Sequence, residues 1–134
     1  MDFSERRNYF RLSVDIPVKV LYNPQEEFRN TRLFYGSIRD LSGGGARFRT
    51  NVNFNDKEKV SLRFLLPNNS MNNPVQDFFV SAEILRSEKV ENKKVYEYGA
   101  KFINISSGVQ DKIVKYLFDL QISKKIHMKH TITT

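Results

Sequence analysis

Two short stretches of the sequence carry the side chains best suited to binding chemistry. In the first, Arg7 and Arg11 place two guanidinium groups four residues apart. Such planar cations pair with anions and stack on aromatic rings. The second stretch, 40–45, reads DLSGGG and combines a carboxylate, a hydroxyl and a run of glycines. This combination suits a tight turn that holds a polar ligand.

Each stretch also has a purely structural interpretation. Arg7 and Arg11 would then belong to an exposed basic arm whose pairs with surface carboxylates contribute about 0–1 kcal/mol each. Asp, Ser and Gly are common turn residues, so 40–45 would be an ordinary hairpin turn. Three consecutive glycines exceed what a hairpin requires, and each adds unfolded-state entropy. They permit positive φ and let a ligand approach the backbone, which favours a functional reason.

Together, and in this order, the two stretches resemble the paired signature of PilZ domains, R-x-x-x-R followed by D/N-x-S-x-x-G. PilZ domains are bacterial receptors for the second messenger cyclic di-GMP (c-di-GMP), which offers two guanines and two phosphodiesters. The resemblance implies that Arg7 and Arg11 close over this ligand from a flexible arm. It also implies that Asp40, Ser42 and Gly45 bind the ligand from the turn.

The chemistry of these residues fits such a ligand. An Arg fork pairs with guanine O6 and N7 or with phosphate oxygens. The Asp40 carboxylate suits the N1–H and N2–H edge of guanine, and Ser42 can reach a phosphate or a base edge. Arg6, Gly43 and Gly44 form a second tier of site residues. Arg6 either adds a third stacking surface or is simply solvated, and the two glycines are surplus to the motif.

The composition predicts one globular domain with an anionic partner. The chain has 134 residues, of which 40% are hydrophobic and 13% aromatic, enough for one core. Its net charge of +7 favours nucleic acid, nucleotides or an anionic lipid surface. It has no cysteine, which excludes disulfides and thiolate metal sites. With neither an apolar run of about 18 residues nor a signal-peptide pattern, a cytoplasmic location is expected.

Strands must position most of these residues. Apolar and polar residues alternate over 14–20 and 60–66, which is typical of half-buried strands. Four further strands are predicted over 31–39, 46–49, 78–88 and 93–105. Pro17 implies an edge position or a bulge in the first strand. Turns or loops are predicted at 23–25, 67–74 and 91–92.

After residue 104 the apolar period lengthens to that of an amphipathic helix. One helical face collects Val109, Ile113, Tyr116, Leu117 and Leu120. Ser107 and Gln110 match a capping box, which predicts a helix over about 107–125. The fold class is therefore mainly β, a small six-stranded antiparallel barrel with a C-terminal amphipathic α-helix. We divide the chain into an arm (1–13), the barrel with its helix (14–126) and a polar, frayed tail (127–134).

The resemblance covers nearly the whole chain, and residues 98–105 and 110–113 look like the C-terminal half of YcgR-type PilZ proteins. In that family the PilZ domain usually follows an N-terminal barrel domain, which is missing from this sequence. The chain is therefore expected to be a stand-alone PilZ protein or a piece of a longer one. The resemblance implies a c-di-GMP receptor that transmits ligand binding to a partner protein or domain, such as the flagellar motor or a polysaccharide synthase. Neither a cofactor nor a metal is expected.

Two other function classes are weaker. A barrel that binds single-stranded nucleic acid would fit the charge and the aromatic content. However, Arg47-Phe48-Arg49 is the only strand segment that interleaves arginine with an aromatic residue. An enzyme is not expected, because His127 and His130 both lie in the tail and no nucleophile–base pair is visible. Without cysteines or nearby carboxylates, this His-x-x-His pair indicates a solvated tail and not a metal site.

Overall fold

The protein forms a closed barrel of six antiparallel strands followed by one helix. The computed structural model describes residues 10–23, 30–66 and 75–133, with the side chains of the helix up to Lys124. The elements are β1 (Leu12–Tyr22), β2 (Arg32–Leu41), β3 (Gly45–Thr50), β4 (Lys59–Leu66), β5 (Gln76–Lys89), β6 (Tyr96–Ile103) and α1 (Ser107–Thr133). Around the barrel the strands follow the order β1-β2-β3-β6-β5-β4. The predicted fold class is confirmed.

Several predicted features lie outside the described residues, namely Arg6, Arg7, the turn residues 24–25 and the loop 67–74. Where a comparison is possible, the strand ends differ from the pattern by a few residues. β6 begins three residues later than predicted, because residues 90–95 form the turn that joins it to β5. This turn is closed by a 2.8 Å hydrogen bond from the Val90 N–H to the Val95 carbonyl, and Asn92 adopts a left-handed φ of 62° within it.

The core follows directly from the period-two pattern. In β4 the side chains of Val60, Leu62, Phe64 and Leu66 point inwards and are buried, whereas Arg63 and Leu65 between them are exposed. Alternate residues of the other strands do the same, so the inside of the barrel is filled by side chains from every strand. Phe64 stacks on Phe78 across the β4–β5 pair, with ring centroids 5.6 Å apart. The barrel is therefore a packed core and not a pore.

Pro17 pairs with Ser37 of β2 and lies next to an irregularity in the β1 pairing, close to the bulge that its sequence position predicted. The register between β1 and β2 shifts between Ser13 and Ile16, which marks a bulge or irregularity. On the other side of β1, the ladder with β4 begins only at Val18, which lies opposite Phe64. Proline has no N–H to donate, so a position at the end of a ladder suits it.

One buried hydroxyl ties a loop to the barrel. Tyr98 of β6 has no exposed surface, and its hydroxyl accepts a 2.6 Å hydrogen bond from the Phe54 N–H and donates a 2.6 Å bond to the Val52 carbonyl. Replacing Tyr98 by phenylalanine would leave both backbone groups without this partner. We expect Tyr98→Phe to lower the free energy of unfolding by about 1–3 kcal/mol, measured by urea denaturation.

A neighbouring tyrosine supplies the control for this variant. The hydroxyl of Tyr96, in the same strand, makes no hydrogen bond with a described residue. Tyr96→Phe should therefore change stability by less than about 0.5 kcal/mol. Burial also raises the pKa of Tyr98 above its ordinary value of 10.0, so the stability that depends on its protonated form is lost as the pH rises past 10. Equal losses of unfolding free energy in Tyr98→Phe and Tyr96→Phe would contradict the structural role of the Tyr98 hydroxyl.

The helix α1 covers the barrel through two buried residues, Ile113 and Leu117. It begins at Ser107 as predicted, but the capping side chain is Ser106: its Oγ accepts a 3.2 Å hydrogen bond from the Val109 N–H. The prediction of Ser107 as the cap was wrong by one residue. The helix also continues to Thr133 instead of ending near residue 125 in a frayed tail. No proline or glycine follows Gly108, so nothing in the sequence forces an earlier end.

Candidate functional site

The turn between β2 and β3 is held together by Ser42. Its Oγ accepts hydrogen bonds from the Gly44 N–H at 3.2 Å and from the Gly45 N–H at 3.1 Å. The Ser42 N–H donates a 3.0 Å bond to the Gly45 carbonyl. Ser42 is only 6% exposed. Its hydroxyl therefore orders the backbone of the turn, as short hydroxyl side chains commonly do.

Gly45 of this turn has a structural purpose that was not predicted from the sequence. None of the described glycines adopts a positive φ, so that part of the prediction was wrong. Gly45 instead starts β3 against the backbone of β6. A Cβ on Gly45 would overlap the carbonyl oxygen of Ala100, and it would lie 3.3 Å from the Cα of Lys101. Gly45 is required here because two strands approach closely.

A bulge in β2 turns Asp40 to the outside of the barrel. Ile38 pairs with Phe48 and Asp40 pairs with Arg47, which leaves Arg39 as the extra residue between the two pairs. In an unbroken strand, Asp40 would share the inward face of Ile38. The bulge places it beside Arg47 instead. The Asp40 carboxylate forms an ion pair with Arg47 and accepts a 3.2 Å hydrogen bond from the Ser13 hydroxyl.

Arg47 links Asp40 to a second carboxylate. The Glu97 carboxylate of β6 accepts a 3.3 Å hydrogen bond from Arg47 Nη1 and a 2.9 Å hydrogen bond from Arg49 Nε, and both are ion pairs. Arg47 Nε is buried and has no hydrogen-bond partner among the described residues. Buried polar atoms are nearly always satisfied, so this N–H is an exception in the described structure. Asp40 is 8% exposed, and each of its oxygens keeps a lone pair beyond its present contact.

A second bulge, in β5, brings Arg86 to the same outer face. Ile84 pairs with Ala100 and Arg86 pairs with Gly99, so Leu85 is the extra residue. Gly99 also pairs with Arg47 on its other side. The Arg86 side chain lies across Gly99: a Cβ placed on this glycine would be 3.0 Å from Arg86 Nε. One row around the barrel therefore runs Ser13, Asp40, Arg47, Gly99, Arg86.

Three arginines line a cleft of about 230 Å³ along this row: Arg11, Arg47 and Arg86. Arg11 comes just before β1, and the residue ahead of it is fixed by the helix. The rings of Phe10 and Phe118 meet edge to face, with centroids 4.6 Å apart. The remaining lining is small or apolar, consisting of Ala46, Leu85, Gly99 and Ala100. A cleft with guanidinium donors and no lining carboxylate is chemically suited to an anion.

The structure brings together part of the predicted site. Asp40, Ser42 and Gly45 share the β2–β3 turn, with Gly43 buried and Gly44 partly buried between them, while Arg11 lines the adjacent cleft. Arg6 and Arg7 lie outside the described residues. Arg86 was not predicted from the sequence, and Arg47 was noted there only in connection with nucleic acid. Nothing local in the sequence identifies either residue, because both depend on strand pairing. Within the described residues, we find neither a cluster of potential metal ligands nor a helix long and apolar enough to cross a membrane.

Comparison with solved structures places this geometry among known folds. Bacillus subtilis MotI/DgrA, an inhibitor of motility, is similar with a TM-score of 0.70 at 19% identity, over 89% of this chain and 53% of that one. The Escherichia coli YcgR PilZ domain with c-di-GMP is similar with a TM-score of 0.62 at 17% identity, over 92% of this chain and 98% of that one. MrkH of K. pneumonia in its apo state is similar with a TM-score of 0.67 at 16% identity, over 88% of this chain and 52% of that one. The chain thus spans about half the length of MotI and MrkH.

Comparison by sequence gives the family. No curated protein matches the chain significantly. The sequence model of the PilZ domain matches residues 5–119, a range that contains both signature stretches, the whole barrel and the first half of α1. This match confirms the resemblance seen in the two stretches, and the chain belongs to the PilZ domain family.

Proposed function

We propose that this chain is a receptor for c-di-GMP that passes ligand binding on to a partner protein or domain. The observation that carries the proposal is the position of Asp40, which a bulge turns out of the barrel next to a cleft lined by three arginines. Membership of the PilZ family and the similarity to the YcgR PilZ domain with c-di-GMP support it. The ligand carries two anionic phosphodiesters and two guanines, and the site offers cations beside an acceptor.

Each part of the site has a role in this proposal. The Asp40 carboxylate accepts the N1–H and N2–H donors of one guanine, using lone pairs that Ser13 and Arg47 leave free. Arg7 and Arg11 close over the ligand and pair with phosphate oxygens or with the guanine O6 and N7 edge. Ser42 and Gly45 hold the turn from which Asp40 projects. The second-tier residues Arg6, Gly43 and Gly44 keep their predicted supporting place.

Calorimetric titration tests the function directly. We expect saturable binding of c-di-GMP, with GTP and cyclic di-AMP binding far more weakly. A single-stranded DNA oligonucleotide, titrated at two salt concentrations, tests the nucleic-acid alternative, because such binding falls steeply with salt. Since the proposal is a receptor and not an enzyme, the c-di-GMP recovered after incubation should be chemically unchanged. Binding of the oligonucleotide in the absence of c-di-GMP binding would overturn the proposal.

Replacing Asp40 should weaken the binding of c-di-GMP and reduce the selectivity of the protein for guanine. Asp40→Ala removes both acceptors for the guanine edge, which corresponds to a loss of about 1–3 kcal/mol in binding free energy. Selectivity over cyclic di-AMP should fall with it, because adenine lacks the N1–H and N2–H donors. Competition titrations with the two cyclic dinucleotides measure both effects.

Ser13→Ala is the matched control for this variant. It removes the other side-chain hydrogen bond to Asp40 but keeps the carboxylate itself. We expect Ser13→Ala to reduce the affinity only slightly and to preserve guanine selectivity. Retained selectivity in Asp40→Ala would mean that another residue recognises the guanine.

The downstream partner is proposed by analogy with the similar structures. MotI is an inhibitor of motility, and another similar structure is the PilZ domain of CeSA from a cellulose-synthesizing bacterium. We accordingly propose a cytoplasmic receptor whose output is motility or exopolysaccharide production. Deleting the chain in its own host, then comparing swimming and polysaccharide yield at raised c-di-GMP, separates the two outputs. Unchanged behaviour in both assays would argue against either output.

A further inference from the structure

We propose that Arg86 binds a phosphodiester of the ligand and closes the site on the side away from the β2–β3 turn. This inference rests on the proposed c-di-GMP function and extends it beyond the two signature stretches. Arg86 belongs to neither stretch, and it reaches the site only because Leu85 forms a bulge in β5. The ligand would then lie over Gly99, between Asp40 with Arg47 on one side and Arg86 on the other.

The charge of Arg86 is not neutralised within the described part of the protein. Three nearby or comparable arginines are paired: Arg47 and Arg49 contact Glu97, and Arg63 contacts Asp77 at 2.8 Å. By contrast, Arg86 and Arg11 form no hydrogen bond or ion pair with any described residue, although both line the same cleft. Two guanidinium groups that line one cleft and have no partner among the described residues create a positive site that favours an anion.

The type of anion follows from the donors on offer. The lining of the cleft supplies guanidinium groups from Arg11, Arg47 and Arg86, and no carboxylate that could accept from the N–H edge of guanine. The acceptor for guanine is Asp40, which lies on the far side of Arg47 in the row. A phosphodiester, which only accepts hydrogen bonds, is therefore the ligand group that matches Arg86.

The absence of a side chain on Gly99 determines where Arg86 lies. The three nearest neighbours of a Cβ built on Gly99 are all atoms of the Arg86 side chain, with Nε at 3.0 Å and Cγ at 3.2 Å. Gly99→Ala would therefore displace the Arg86 side chain, which is the group nearest to the new methyl, by a few tenths of an ångström. This gives a second variant that keeps the charge of Arg86 but changes its position, and the new methyl also enters the space proposed for the ligand.

Calorimetric titration of c-di-GMP with matched variants tests the proposal. Loss of one charge-assisted contact in Arg86→Gln should weaken binding by about 10- to 100-fold. Arg86→Lys keeps the charge but loses the paired N–H donors of the guanidinium, so its affinity for c-di-GMP should lie between those of the wild type and Arg86→Gln. Gly99→Ala should also weaken binding. The control is Arg32→Gln, which removes the same charge from an exposed position at the opposite end of β2, roughly 25–30 Å from Asp40.

A cycle with a neutral ligand identifies the group that Arg86 contacts. An analogue in which both phosphodiesters are methylphosphonates keeps the guanines but carries no charge. If Arg86 binds a phosphodiester, Arg86→Gln should cost little further affinity with this analogue. An equal loss with both ligands would mean that Arg86 contacts guanine, and it would overturn the proposal. Wild-type affinity in Arg86→Gln would overturn it too while leaving the receptor function intact, whereas a wild-type protein that binds no c-di-GMP would overturn both.

Discussion

Replacing Arg11 by alanine is expected to abolish c-di-GMP binding, a loss of at least about 100-fold, without measurable loss of stability. Arg11 is exposed and precedes β1, and it forms no hydrogen bond or ion pair with a described residue. The fold does not depend on it, so the free energy of unfolding should change by less than about 0.5 kcal/mol. Calorimetry measures the first quantity, and thermal or urea unfolding of the ligand-free protein measures the second.

Two further variants make this result specific. Arg7→Ala should lose binding in the same way, since Arg7 is the other arginine of the signature. Arg32→Ala should keep it, because this exposed arginine lies at the far end of β2. An Arg11→Ala protein that binds normally would remove Arg11 from the site. One that unfolds readily would show that Arg11 is structural.

Replacing Gly45 by alanine is expected to destabilise the protein by about 3 kcal/mol, or roughly 10 °C in Tm, even without ligand. The new Cβ would overlap the carbonyl oxygen of Ala100, and a backbone atom in a paired strand cannot move aside as a flexible side chain can. In the family signature this glycine is a site residue. The structure predicts that its substitution acts first on the β3–β6 pair.

Two other glycines supply the controls. Gly36 is in no ligand motif, but a Cβ there would overlap the Arg49 carbonyl oxygen, so Gly36→Ala should cost about as much stability. Gly108 has open space around it at the start of α1, and Gly108→Ala should be neutral or slightly stabilising. Urea denaturation of the three variants gives the comparison. Wild-type stability in Gly45→Ala, together with lost binding, would show that the ligand and not β6 requires this glycine.

Much of the fold could be predicted because buried and exposed residues alternate over long stretches of the strands. Residues such as Leu62 and Phe64 mark the inward face of β4 by period alone, and Ile113 and Leu117 mark the buried face of the helix. The exact helix cap could not be predicted, because Ser106 and Ser107 are neighbours and both are good capping residues.

The site was predictable only in part, because residue types and spacing are visible in the sequence whereas breaks in the strand alternation are not. Asp40 and Ser42 are recognisable by type and spacing, but the alternation that starts at Ile38 would have put Asp40 inside the barrel. Only the extra residue in β2 corrects its direction. Arg86 depends on a second extra residue and on a pairing with Gly99, thirteen positions along the chain. Bulges leave no clear local signal in a sequence. The outer face on which the two bulges place Asp40 and Arg86 could therefore be recognised only in the three-dimensional structure.

The closed barrel also constrains how a response can evolve. Because each strand has a neighbour on both sides, a partner cannot attach by adding a strand to a free edge. A partner of the proposed receptor would instead contact outward side chains, and Tyr35 (67% exposed) and Phe79 (65% exposed) are two large examples. Those positions can be exchanged without touching the hydrogen-bonded ladder that fixes Asp40 and Arg86. Under the proposed function, substitutions at such positions would change the partner surface and leave the c-di-GMP site unchanged.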